Sequence, residues 1–201
     1  MSDHLADLEV RAPDVVACWR ALDEGRPIGL RREVRRRAGS GSAPGLADQL
    51  AAVAEVLTVV VEGLPDTAFA LPGGEADWTV TEALGHDADA RAGLAMAASL
   101  AAQGRFPADA PTVVPGVPGR ADADRASILA HLATSQRIVA RAARSIAGHE
   151  TDPCPLEHPL VGRLRCGEWL LFAGVHDLMH LEQLEAIERR AGGLEIAGPA
   201  A

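Results

Sequence analysis

An all-α protein built round a four-helix bundle is the fold this sequence predicts. Three observations carry it. Apolar residues make up 48% of the chain, with three Trp, three Phe and no Tyr; alanine and leucine dominate, a bias toward helix over strand. Four long segments repeat apolar side chains at helical spacing. No stretch shows strand-like alternation worth defending. Four helices with one apolar stripe each bury those stripes most simply against one another.

Residues 1–41 read as an N-terminal extension and 42–201 as the bundle domain. In the extension, Pro13 to Leu22 forms a short helix with Val15, Val16, Trp19 and Leu22 on one face, ended by Gly25 and Pro27. Arg31-Arg-Glu-Val-Arg-Arg-Arg37 follows, read as a solvated helix face or tether. Gly39-Ser-Gly-Ser-Ala-Pro-Gly45 is a flexible joint. The first bundle helix runs from about Leu46 to Glu62, on Leu50, Val53, Leu57, Val60 and Val61. The second starts at Thr79, with Glu82 completing a capping box, and runs to about Gln103. A proline-rich loop from Arg105 to Ala121 is long for a bundle; it can run the bundle's length and let the second and third helices lie parallel. The third helix spans about Asp122 to Ala147. The fourth spans Glu168 to Arg190, with Glu168 at its start and arginines at its end in accord with the helix dipole, and Gly192-Gly193 closes it.

Net charge is −9 and every basic residue is arginine, which argues against a general nucleic-acid binder. Cys18, Cys154 and Cys166 show no paired spacing, so neither a disulfide framework nor a structural zinc site is expected. Met1 to Glu9 lacks the pattern of a secretory signal, and no apolar run reaches the roughly 18 residues of a membrane span. A soluble cytoplasmic protein with reduced thiols is the expectation.

The chemistry concentrates at His176-Asp-Leu-Met-His180. Two imidazoles four residues apart lie on one helix face and can ligate one ion. The segment lacks the glutamate of a zinc-protease helix, so a peptidase reading loses its general base. Trp169, Phe172, Ala173, Leu184 and Ile187 share that face, which therefore turns inward, where unpartnered imidazoles are costly. His86, in the second helix, is the third candidate ligand. Three histidines from two helices leave coordination positions open, as catalysis by a metal requires. Other residues are weaker candidates. Glu82 or Asp89 could orient His86, and Gln183 could reach the pocket. Arg137, Arg141 and His131 could meet a substrate, although an exterior helix face accounts for each more simply. Asp177 points about 100° away from His176 round the helix and is expected at the surface. Cys154 and Cys166 are poor nucleophile candidates because no base is placed by spacing.

The block Asp77-Trp-Thr-Val-Thr-Glu-Ala-Leu-Gly-His86, and the block from His158-Pro to His180-Leu-Glu-Gln183, resemble the second- and fourth-helix regions of the DinB/YfiT-like superfamily of metalloenzymes. The likeness covers about Leu46 to Arg190. The resemblance implies a four-helix bundle with a crossover between helices two and three, and metal ligands at His86, His176 and His180. It implies a divalent ion, zinc ahead of nickel or iron, and a low-molecular-weight thiol such as mycothiol, bacillithiol or glutathione; a composition typical of a high-GC genome points to mycothiol. The implied function is a thiol S-transferase activating that thiol at the metal, with catalytic candidates Glu82, Gln183 and Arg137. The implied partners are a small electrophile and a thiol, with a homodimer as the assembly, and no nucleic acid or membrane. A metal-dependent hydrolase or isomerase of specialised metabolism, and a non-enzymatic ligand-binding bundle, remain open.

Overall fold

A computed structural model describes residues 3–23, 27–39, 41–74 and 77–196. Seven α-helices are described: α1 (Asp3–Arg11), α2 (Pro13–Asp23), α3 (Pro27–Ala38), α4 (Ala43–Gly63), α5 (Val80–Ala102), α6 (Arg125–Ile146) and α7 (Cys166–Ile196). The last four are the expected bundle helices. Both α4 and α5 pack against both α6 and α7.

Each start has a local cause. Ser42 caps α4, its hydroxyl accepting from the Gly45 N–H, and Pro44 sits in the first turn, so the helix begins earlier than Leu46. Thr79 and Glu82 form the predicted capping box of α5. Asp124 caps α6 through the Ser127 N–H. The expectation that Gly192-Gly193 closes the last helix is corrected, since α7 continues to Ile196; glycine costs a helix about 1 kcal/mol and does not by itself end it. By length and composition α4 could cross a membrane, a correction to the absence of such a run. Here it is a core helix, with Leu46, Leu50, Val53, Leu57 and Val61 all buried.

The absence of strands is also corrected. Pro153–His158 (β1) and Gly162–Arg165 (β2) pair antiparallel ahead of α7. Their inward side chains, Cys154, Leu156 and Leu164, are buried while their neighbours are exposed. That alternation is only two or three residues deep and interrupted by prolines, too short to register as a period.

The crossover takes the path expected of it. The chain leaves α5 at Ala102 and returns to its opposite end, where the Gly119 N–H donates to the Glu82 carbonyl at 2.9 Å. Arg125, opening α6, pairs there with Asp66 beyond the end of α4. At the other end, Glu150 accepts from the Ala43 N–H opening α4 and its carbonyl accepts from Gly167 opening α7. Helices α5 and α6 therefore run parallel, against α4 and α7.

The loop lies so close to α5 that a Cβ on Gly85 would stand 2.7 Å from the Gly119 Cα, and one on Gly119 would stand 2.4 Å from the Gly85 Cα. Only two glycines permit backbone on backbone here. Gly85→Ala is expected to cost about 1–3 kcal/mol by overpacking, read by urea unfolding, and to weaken metal retention with it.

The extension packs on the bundle. Leu8, Val15, Val16, Leu30 and Val34 are buried in the core cluster that contains α4 and α7. Arg31, Arg36 and Arg37 of α3 are engaged within the chain. Arg36 and Arg37 hold Glu33, pulling its carboxyl down to about 2. Arg37 also holds Asp14 at 2.8 Å, and Arg31 donates to the Arg163 carbonyl. Ser40 of the predicted joint, and Gly25, lie outside the described residues.

Candidate metal centre

His86 stands on α5, and His176 and His180 stand one turn apart on the antiparallel α7. All three are buried, at 7%, 7% and 3% exposure. Their rings meet edge to face with centroids 5.2, 5.6 and 4.7 Å apart. One ligand nitrogen from each lies within 4.8 Å of the other two. The structure brings together the three residues named from sequence.

Every ring is oriented through Nδ1. That of His86 meets the Val117 carbonyl at 2.8 Å, that of His176 meets Asp87 Oδ1 at 3.3 Å, and that of His180 meets Gln183 Oε1 at 3.1 Å. All three partners accept, so Nδ1 carries the proton and the lone pair of each neutral ring falls on Nε2. Metal-ligating histidines are held in this way. A donor set of three neutral imidazoles suits zinc, nickel, copper or iron and leaves positions for further ligands.

Three elements supply the acceptors. The Gly85–Gly119 approach lays the crossover on α5 and sets the Val117 carbonyl at the Nδ1 edge of His86, whose ring also stands 4.9 Å from that of Trp78. Gln183 follows His180 by one turn and is pressed by Gly74, where an added Cβ would be 3.2 Å from the Gln183 Cγ and φ is +87°. Asp87 follows His86 directly and crosses to α7. Asp87→Ala is expected to lower metal affinity about 10–100-fold, measured by competition with a chelator, with Asp87→Asn retaining more because an oxygen acceptor remains.

The expectation of a surface Asp177 is overturned: the residue is fully buried, as are Asp87 and Arg91. Arg91 Nη2 lies 3.3 Å from Asp177 Oδ2 and donates to Gln136 Oε1 at 2.8 Å and to the Leu50 carbonyl at 3.3 Å. The guanidinium meets Asp177 on distance but not on hydrogen-bond angle, as neither Asp177 oxygen is bonded. Burial pushes the Asp177 carboxyl well above its ordinary value, against the pull of Arg91 and with the help of Asp87. For Asp87, burial acts upward but is outweighed by the bond to His176, by His180 and His176 when those rings are protonated, and by Arg91, which together bring it to about 2. Two buried carboxylates beside one guanidinium do not both ionise: Asp87 carries the charge and Asp177 the proton. Asp87, His176 and Asp177 also cluster tightly enough for a cation, and the guanidinium already supplies one.

The remaining candidates fall elsewhere. The Glu82 carboxylate accepts from both the N–H and the hydroxyl of Thr79 at 2.9 Å, bonds that hold it below its ordinary value; it is engaged in capping. Asp89 pairs with His131 at 2.9 Å. Arg137 is exposed and donates to Thr134 on its own helix, and Arg141 is exposed. Burial raises the Cys154 thiol and pushes Cys166 up to about 12, which removes both as thiolates at neutral pH.

Sequence reasoning missed Asp87, Arg91 and His158. One signal was present: each ligand helix carries a His-Asp pair, His86-Asp87 and His176-Asp177, and Arg91 stands one turn past Asp87. His158 joins the triad, Phe172, Met179 and Gln183 in the wall of a cavity of about 400 Å³. The Leu160 N–H donates to His158 Nδ1 at 3.1 Å, so in the neutral ring the proton resides on Nε2.

Among protein families, the DinB superfamily matches residues 49–184. Neither the curated proteins nor the solved structures compared with the chain gave a match.

Proposed function

This chain belongs to the DinB superfamily, and on that premise we propose that it is a metal-dependent S-transferase joining a low-molecular-weight thiol of the mycothiol type to a small electrophile. One observation carries the reading: three buried imidazoles, each held at Nδ1 by an acceptor, present their second nitrogens beside a cavity of about 400 Å³, within the size range of small-molecule sites. A divalent ion bound there supplies the Lewis acidity that makes a thiol ionise near neutral pH.

The chain's own residues do the rest. Val117, Asp87 and Gln183 fix the three rings before substrate arrives, so no reorganisation is needed. Phe172 and Met179 line the cavity and exclude water from the reacting sulfur. In the reaction the thiol loses its proton to solvent, a sulfur–carbon bond forms, and the electrophile's carbon–leaving-group bond breaks with the leaving group departing as an anion into the cavity that His158 lines. The protein incubated with mycothiol and chlorodinitrobenzene is expected to release chloride and form the conjugate, with the rate lost on chelation. No metal-dependent rate with mycothiol, bacillithiol or glutathione would overturn the proposal.

His158 in the cavity wall also favours a second reading, hydrolysis or isomerisation, because a ring N–H near a Lewis acid can polarise a carbonyl. Metal-dependent cleavage of a nitrophenyl ester, with no thiol conjugation, selects it.

A further inference from the structure

Beside the metal cavity lies a second one of about 330 Å³ that the reading above does not use. The two share a wall of His86, Ala90, Leu94, Val114 and Pro115. Its floor is the face of α5 where Ala90, Gly93 and Ala97 recur at helical spacing; side chains this small leave depth between helix and loop. The crossover forms its roof, and that roof is fastened. The Val114 N–H donates to the Glu157 carbonyl at 2.9 Å and the Glu157 N–H to the Thr112 carbonyl at 2.6 Å, tying the loop to β1.

The lining chemistry is one-sided. Only His86 and Asp89 among its residues are polar. His86 is committed to Val117 and Asp89 to His131. No lysine or arginine lines it, so nothing there selects an anion. Val113 and Val117, also lining it, are 55% and 56% exposed, an apolar pair of a kind that marks ligand-binding sites when it borders a cavity.

We infer that this second cavity is the subsite for the uncharged, apolar portion of the electrophilic substrate, whose reactive end extends past the residues the two cavities share into the metal cavity. The occupant assigned rests on the thiol-transfer reading; the apolar binding site itself does not.

Gly93 gives the test. A Cβ added there meets nothing within 4 Å, so a side chain at this position starts in open space and Gly93→Leu extends into the cavity, and leucine favours helix over glycine. The probe is N-phenylnaphthylamine, a neutral fluorophore that brightens on leaving water, titrated into the full-length protein. The wild type is expected to bind it saturably. Gly93→Leu is expected to bind at least about tenfold more weakly, with unchanged metal content and an equal or higher Tm. His176→Ala is expected to lose its metal and keep the fluorophore. In the transfer assay, lengthening an alkyl halide by one methylene should lower the wild-type KM about three- to fourfold and leave that of Gly93→Leu flat. No saturable binding by the wild type overturns the inference. So does equal binding by Gly93→Leu, or a Gly93→Leu variant changed in oligomeric state but not in fluorophore affinity, which would identify the face as a contact between copies of the chain. Fluorophore binding that behaves as expected in a protein that transfers no thiol sinks the reaction and keeps the site.

Discussion

Purified wild-type protein is expected to hold a stoichiometric divalent ion, and His176→Ala to hold almost none. The size of the effect follows from the site's construction. Losing a residue that merely orients a ligand costs about 10–100-fold in metal affinity, so losing a ligand costs more. His176 is also the residue on which Asp87 is spent, and its removal leaves a buried carboxylate without that partner. Binding to the folded state alone stabilises it by about 2.7 kcal/mol when the ion stands at a hundred times its dissociation constant. For a chain of this size that is roughly 5–10 °C in Tm. Chelation should therefore lower the wild-type Tm by about that much and leave His176→Ala unmoved. Elemental analysis with a thermal melt in the presence and absence of chelator reads both. Equal metal in the two proteins would mean that the triad is not the site.

Arg91→Leu is expected to be the most destabilising single change outside the triad, at about 3–5 kcal/mol. Its guanidinium is wholly buried and reaches Gln136, Leu50 and Asp177 at once. Without it, the ionised Asp87 is left in the core with no permanent cation. Arg91→Lys should recover only part of the loss, because an ammonium is more strongly hydrated than a guanidinium and costs more to hold in the core. The double variant Arg91→Leu/Asp177→Leu should be more stable than Arg91→Leu alone, since it removes a buried polar group together with the cation that answered it. Urea unfolding of the three variants reads the order, and a double variant no better than the single one would show that Arg91 and Asp177 are not coupled. Metal affinity should fall in Arg91→Leu as well, because Asp87 holds His176.

Much of the fold was legible because its determinants are local. The capping box at Thr79 and Glu82, the proline-rich stretch after α5, and helical runs ending near Gly63, Gly104 and Gly148 are each written in a few adjacent residues. The three histidines of the candidate site were legible for a related reason. His176 and His180 declare themselves by spacing, and His86 by the Asp77-to-His86 block with its resemblance to the superfamily's second-helix region. What failed did so for want of a long enough local signal. The hairpin ahead of α7 alternates over too few residues to show a period. Asp177 was sent to the surface by the geometry of one helix taken alone, although α5 covers that side as well and buries it.

Taken by itself, the chain's order of residues determined the four bundle helices, the long connection between the second and third, and the His176–His180 pair, because periodicity, caps and side-chain spacing act within one helix or its ends. Only the packing of α5 against α7 decided that Asp87 would orient His176 and that Arg91 would neutralise the charge behind the site. The close approach of Gly119 to Gly85 likewise decided that the Val117 carbonyl would orient His86. His86 and Val117 lie 31 residues apart in the chain and Asp87 and His176 lie 89 apart, and what selects such partners is the cost of leaving a buried polar group unanswered, which acts only once the core has closed.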